Sequence, residues 1–299
     1  MKSKLRNMVG LTAIALMLTV GLVGCAGGTG GSSAPAASND GPIHVVSRED
    51  GSGTRGAFVE IFEVQAKNAD GKKIDATTTS AVVTNSTSVM LTTVAGDKNA
   101  IGYISLGSLN DNVKALEIDG AAATSENVKS GSYKISRPFN IVTMGTPSTA
   151  AQDFINFILS ADGQKVAADN NTIAVDDTAA AYAKDSAAKG KVVVAGSSSV
   201  SPVMEKLMEA YAKVNPDVKV ELQTSDSSAG VSSVIDGICD IGMASRQLKD
   251  SELSQGVTPT VIAIDGIAVV VNPARDITGL TQEQVQKIFL GEITDWKDL

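Results

Sequence analysis

Residues 47–55 read Ser-Arg-Glu-Asp-Gly-Ser-Gly-Thr-Arg, and these residue types suit one kind of chemistry, the holding of an anion. Arg48 supplies a planar fork of N–H donors matched to an oxyanion. Asp50 is placed to orient that fork. Ser52 and Thr54 add hydroxyl donors. Gly51 and Gly53 let the backbone turn sharply and bring its own N–H groups close to a ligand. The apolar run 43–46 precedes the stretch, and Phe58, Ile61 and Phe62 follow on one helical face. The order is therefore strand, glycine turn, helix start. The unbonded N–H groups of a first helical turn carry partial positive charge and favour an anion. A plain glycine turn with a surface Arg is the simpler alternative, and the convergence of Arg, Ser and Thr on a helix start argues against it.

Other strand–loop–helix units must supply the rest of such a site. Residues 191–195 read as a buried strand that ends in Gly196-Ser197-Ser198-Ser199-Val200-Ser201-Pro202. Val203, Leu207, Ala210 and Tyr211 give the following helix its apolar face, and Asn215-Pro216 stops it. Residues 218–222 alternate as a strand before Asp226-Ser227-Ser228-Ala229-Gly230, a third loop of donors. Residues 238–244 lead into Ser245-Arg246, a fourth. A single Ser loop is ordinarily a helix cap. Repeated loops, each closing a strand, point to ligand binding at the carboxyl ends of an α/β sheet. Elsewhere, Asn85, Ser86 and Ser88 mark a helix start. Residues 100–106, 113–118 and 133–135 read as strands, and 149–159 as an amphipathic helix. Residues 176–190, rich in Ala, Asp and Lys, read as a weak helix or a linker.

The chain has 299 residues, 43% of them hydrophobic, enough for two modest domains with real cores. Its formal charge is −8, and residues 25–299 alone carry 22 basic and 33 acidic side chains, or −11. That sign excludes an ordinary nucleic-acid binder. Lys2, Lys4 and Arg6 precede a short apolar run at 11–23, which reads as a signal peptide over residues 1–24 rather than a membrane span. The run ends in Leu22-Val23-Gly24-Cys25, which resembles a bacterial lipobox, so Cys25 is expected to carry lipid; a plain secretory signal is the alternative. Residues 25–40 then form a Gly/Ser/Ala/Pro tether, and the protein is expected outside the cytoplasm, anchored at the membrane. Cys239 is left without a disulfide partner and reads as a buried small hydrophobe. No Cys/His metal pattern is present.

Gly41-Pro42-Ile43 followed by R-E-D-G-S-G-T-R resembles the anion-binding signature of periplasmic-type phosphate-binding proteins, the substrate receptors of the high-affinity phosphate ABC importer. The A-I-G-Y at 100–103, R-P-F at 137–139, G-S-S-S-V-S-P, D-S-S-A-G and D-I-G-M-A-S-R segments, and Ile288 to Trp296, resemble the same family. The resemblance covers nearly all of the chain past the tether. It implies a two-lobed α/β fold of the periplasmic-binding-protein kind, with a hinge and an interlobe cleft. The halves stand in exchanged order, so the chain looks circularly permuted. One lobe maps to 41–140 plus 265–299 and the other to 141–264. The resemblance places phosphate between Arg48, Asp50, Ser52, Gly53 and Thr54 on one lobe and Ser198, Ser199, Ser227 and Ser245 on the other. It implies no cofactor, and as partners an ABC permease and ATPase. Some members carry an Asp where Arg246 stands, which accepts a proton from the ligand; here Asp50, and then Asp226 or Asp240, are the carboxylates left to do so.

An enzyme such as a phosphatase is the competing class. His44 is the only histidine, placed by alternation on a strand near the site. Gly51-Ser52-Gly53 lacks the spacing of a nucleophile elbow, and there is no P-loop. Binding without turnover is the expectation. A lipid-tethered sensor or adhesin on the same fold is a further alternative.

Overall fold

The computed structural model describes residues 41–299. The signal segment, Cys25 and the tether lie outside the described residues. β1 (His44–Arg48) leads into α1 (Gly53–Ile61), which buries Ala57, Phe58 and Val59. β2 (Gln65–Lys67) and β3 (Lys73–Asp75) form a hairpin, followed by β4 (Val82–Thr84) and α2 (Thr87–Gly96). Ser86 caps α2 by accepting from the Val89 amide. β5 (Ala100–Ser105) is buried along its whole length. Residues 113–118, expected as one strand, divide into β6 (Lys114–Ala115) and β7 (Glu117–Ile118), where the chain leaves one partner strand for another. α3 (Ser125–Ser130) ends at Gly131, in the left-handed conformation that glycine tolerates. Tyr133 and Ile135, also expected in a strand, lie in the loop before β8 (Ser136–Met144). Their burial explains the apolar signal: the Tyr133 hydroxyl donates to the Ile267 carbonyl at 2.7 Å.

The remaining elements are α4 (Thr149–Leu159), α5 (Ala161–Ala168), β9 (Gly190–Ser197), α6 (Ser201–Val214) and β10 (Val218–Ser225). After them come α7 (Ser227–Ile235), β11 (Ile241–Ala244), α8 (Asp250–Leu253), β12 (Val257–Val271), β13 (Gly279–Leu280) and α9 (Gln282–Leu290). The main sheet runs β10-β9-β11-β8-β12-β5-β1-β4. β9 pairs in parallel with β10 and β11, and β1 with β4 and β5. The antiparallel strands β8 and β12 join these two groups. β12 pairs with β8 up to Gly266 and with β5 from Ile267 onward.

Two hydrophobic cores lie on either side of that change of partner. One draws on residues 43–135 and 267–296, the other on residues 139–263. A smaller cluster holds Val231, Val234 and Cys239. Cys239 is a free, buried thiol whose pKa is pushed up to about 11, mainly by burial, as suits a packing residue. The two ends of the described chain meet beside β1. The Ile43 amide donates to the Thr294 carbonyl at 2.8 Å, the Trp296 amide to Gly41 at 2.9 Å, and the Gly41 amide to Asp295 at 3.2 Å.

Residues 176–190 contain no helix and are mostly exposed, yet they are fastened at several points. Buried Asp153 of α4 accepts from Tyr182 Oη at 2.7 Å, the Asp185 amide at 2.9 Å, Tyr211 Oη at 2.6 Å and Asn215 Nδ2 at 2.8 Å. Burial opposes the Asp153 charge, but these donors outweigh it and hold the carboxyl below its usual range. A depressed carboxylate adds stability above its unfolded pKa and loses it as pH falls toward the folded value. Asp153→Asn should cost about 1.5–3 kcal/mol at neutral pH, the range for charged hydrogen bonds. Urea unfolding of both proteins across pH checks this: the difference should shrink below about pH 4.

Candidate anion-binding site

β1 delivers Arg48 to its carboxyl end. The Ser52 amide donates to the Glu49 carbonyl at 3.0 Å, which closes the turn. Ser52 then caps α1, accepting from the Arg55 amide at 3.3 Å. The amides of Gly53 and Thr54 open α1, where a helix has no internal acceptor for them. Arg55 locks the turn from behind. Its Nη1 donates to the Arg48 carbonyl at 2.7 Å and pairs with Asp50 at 2.8 Å, and its Nε donates to Asp75 at 2.7 Å. Tyr103, stacked on Phe58 in the core, accepts the Arg48 amide at 3.2 Å and pairs with Ser47 Oγ at 2.9 Å. Burial pushes the Tyr103 hydroxyl up to about 12, so it stays protonated.

The Ser-rich loops close over this turn from the other core. Arg48 Nη2 donates to Ser198 Oγ at 3.1 Å, and Thr54 Oγ1 and Ser199 Oγ are 2.7 Å apart. Ser245 Oγ lies 3.0 Å from Ser197 Oγ and 3.4 Å from Ser227 Oγ, and the Ser245 amide donates to Ser227 Oγ at 3.0 Å. The Ser228 amide donates to the Gly51 carbonyl at 3.2 Å. Arg48, Ser52, Thr54, Ser198, Ser199, Ser227 and Ser245 are all buried. Hydroxyl hydrogens rotate to suit a partner, so this cluster can turn its donors onto an anion. The opening turns of α1, α2 and α7 add oriented amides. A carbon replacing a hydrogen on Gly53 would lie 2.3 Å from Ser227 Oγ and 2.7 Å from Ser245 Oγ; on Gly51 it would strike Asp226. Glycine is needed at both positions for the two sides to meet.

Several expectations change. Asp50 does not face the cluster: its side chain is 96% exposed and turned to Arg55. Glu49 instead grips Arg48 through both carboxylate oxygens, Nε to Oε2 and Nη2 to Oε1, each at 2.7 Å. The turn carries Asp50 outward and leaves Glu49 beside the fork. His44 sits at the opposite, amino end of β1, 2.6 Å from Asp97 and away from the site. Arg246 adds no free cation, because Glu252 holds it at 2.8 and 2.7 Å. Asp226 caps α7, accepting from the Ala229 amide at 2.8 Å, and exposed Asp240 accepts from the Val193 amide at 2.7 Å. Thr87, between the Ser86 and Ser88 that mark a helix start, was not singled out from the sequence. Its Oγ1 lies 3.3 Å from both Ser198 and Ser199 Oγ and accepts from Arg48 Nη1 at 3.4 Å.

The close approach at Gly53 is open to a direct test. Gly53→Ala overpacks the contact and should destabilise the protein by about 1–3 kcal/mol in urea unfolding. Gly56→Ala, whose new carbon meets only Arg246 Cδ at 3.5 Å, should be far better tolerated.

The PBP superfamily domain matches residues 32–162 and 181–299. Phosphate-binding protein PstS 2 of Streptococcus agalactiae is 56% identical over 298 residues, 99% of each chain. Phosphate-binding protein PstS 2 of Streptococcus pneumoniae is 46% identical over 293 residues, 98% of each. The crystal structure of a phosphate-binding protein of a phosphate ABC transporter from Streptococcus pneumoniae is 47% identical. It superposes with a TM-score of 0.67 over 86% of this chain and 99% of its own. Both sequence relatives align end to end, so they share this order of segments. The chain belongs to the PBP superfamily and, within it, to the family of these streptococcal phosphate-binding proteins.

Proposed function

We propose that this protein captures inorganic phosphate outside the cytoplasmic membrane and hands it to the permease and ATPase of an ABC importer. The ring of buried hydroxyls and helix-opening amides around Arg48, contributed from both cores, carries the reading. The end-to-end likeness to proteins named for phosphate binding supports it. Binding without turnover is the role that fits: the relatives it matches end to end are named as binding proteins, and the cluster gathers neutral donors around one paired guanidinium. Phosphate is held by Arg48, Ser52, Gly53 and Thr54 from 41–140 plus 265–299, and by Ser198, Ser199, Ser227 and Ser245 from 141–264. Thr87 joins the first set. Binding favours the closed arrangement because only there do both sets reach one ligand.

The lobes follow the same division, and the order of halves is that of a circular permutant. The meeting of Gly41 and Trp296 supports this, since an uninterrupted chain could once have run through that point. Residues 1–24 are the signal, Cys25 is the lipidated mature N-terminus, and residues 26–40 are its tether.

Calorimetric titration with phosphate, sulfate, arsenate and molybdate tests the ligand. Phosphate should bind. Arg48→Ala should weaken it at least about tenfold, since removing one partner of a buried charged hydrogen bond typically costs on the order of 2–5 kcal/mol. A folded Arg48→Ala protein with wild-type affinity would remove Arg48 from the site. Anchoring has its own check: Cys25→Ala should move the protein from the membrane fraction to the medium, whereas a plain signal peptide predicts no change.

A further inference from the structure

Among the described residues, Arg55 stands where local chemistry disfavours it. It is the third residue after the Ser52 cap, in a first helical turn that holds no acid. A cation there opposes the helix dipole, which favours carboxylates at that end. Natural chains break such local rules at functional positions. Arg55 acts on the anion loop: its Nη1 donates to the Arg48 carbonyl at 2.7 Å. The same peptide is held from its other side, because the Glu49 amide donates to the Thr84 carbonyl at 3.0 Å. Both polar ends of the 48–49 peptide are thereby fixed, which leaves the loop little freedom beside the residue that carries its guanidinium.

What holds Arg55 comes from outside the loop. Asp50 pairs with it, but the Asp50 side chain is 96% exposed, where an ion pair is worth little. Asp75 of β3 is the firmer partner: Arg55 Nε donates to its Oδ2 at 2.7 Å. The other oxygen of Asp75 accepts from the Thr77 amide at 2.8 Å and from Thr77 Oγ1 at 2.6 Å, so the carboxylate is aimed. Burial works to raise the Asp75 carboxyl, but the Thr77 and Arg55 donors outweigh it and hold it below its usual range, so it stays charged. The β2–β3 hairpin that carries Asp75 is a two-stranded unit apart from the main sheet, and it is mostly exposed. A hairpin of that kind adds little stability by itself. We propose that Asp75 is a positioning residue for the anion site: from the hairpin, and without touching the ligand, it holds Arg55 on the Arg48 carbonyl and keeps the loop in its binding geometry. Affinity then gains because the loop is ordered before the anion arrives. This rests on the reading of that loop as part of a phosphate site.

Titration calorimetry of the full chain with phosphate, in wild type, Asp75→Ala, Arg55→Ala and the double variant, decides the matter. Asp75→Ala should weaken phosphate about threefold or more, the scale on which residues remote from a ligand alter its affinity. Because Asp75 acts through Arg55, the double variant should lose no more than Arg55→Ala alone, whereas independent effects would add. Asp75→Asn keeps an acceptor for Thr77 and removes the charge, so it should fall between wild type and Asp75→Ala. Lys73→Ala, exposed on the same strand, should bind as wild type does. Hydrogen exchange without phosphate supplies a readout that a merely structural role would not move. In Asp75→Ala the Glu49 and Ser52 amides should exchange faster while those of β9 keep their protection; a general loss of stability would speed both. Circular dichroism melts confirm that each variant is folded. Wild-type phosphate affinity in either folded Asp75 variant, or additive losses in the double variant, overturns the role of Asp75 and leaves phosphate capture standing. Wild type that does not bind phosphate overturns the receptor reading, and this inference with it.

Discussion

A buried ion pair stands where the two cores meet. Arg137 of β8 donates to Asp265 of β12 through Nε at 3.2 Å and Nη2 at 3.1 Å, and both side chains are almost wholly out of water. Ser105 Oγ, at the end of β5, donates to the same carboxylate at 2.8 Å. Burial pushes the Asp265 carboxyl up and the Arg137 guanidinium down, and their mutual attraction works against both shifts. Charges so placed are tolerated only together. The two residues are also register partners. Sliding β12 past β8 by one residue would strand both and turn the alternate faces of the strands inside out. The pair therefore fixes how the strands common to both cores are aligned. From that alignment follow the positions of β1 and β11, and with them Arg48 and Ser245.

The site built on this frame uses short-range forces. The chain beyond residue 24 carries a charge of −11, so its long-range field repels anions. Attraction must come from donors within hydrogen-bond reach, held in place before the ligand arrives. Tyr103 provides part of that preparation from inside the core, and Arg55 provides part from behind the loop. Specificity from oriented dipoles differs in kind from affinity by net charge, because it depends on the shape and protonation of the ligand.

Much of this was legible in the sequence because it is encoded in local patterns. The strand–glycine–helix unit, the Ser loops closing β9 and β11 and the α4 pattern all show in residue spacing. What was missed depends on which way a turn throws neighbouring side chains. Glu49 and Asp50 are adjacent acids, and only the path of the turn assigns one to Arg48 and the other to Arg55. Thr87 was passed over between Ser86 and Ser88, since its partners Ser198 and Ser199 are more than a hundred residues away. His44 has the right alternation but stands at the amino end of its strand, a distinction the period of a strand cannot make. The fastening of residues 176–190 was hidden for a similar reason: Tyr182 and Asp185 find Asp153 only once the chain has folded back.

The meeting of Gly41 with Asp295 and Trp296 has a mechanical side. Both ends emerge from the same core, at the amino end of β1, whereas Arg48 lies at its carboxyl end. A pull exerted through the segment before Gly41 enters β1 and passes to β5 and β4, strands of that one core. The Ser loops hang from β9, β10 and β11, on the far side of β8 and β12 from the strands that would carry that load.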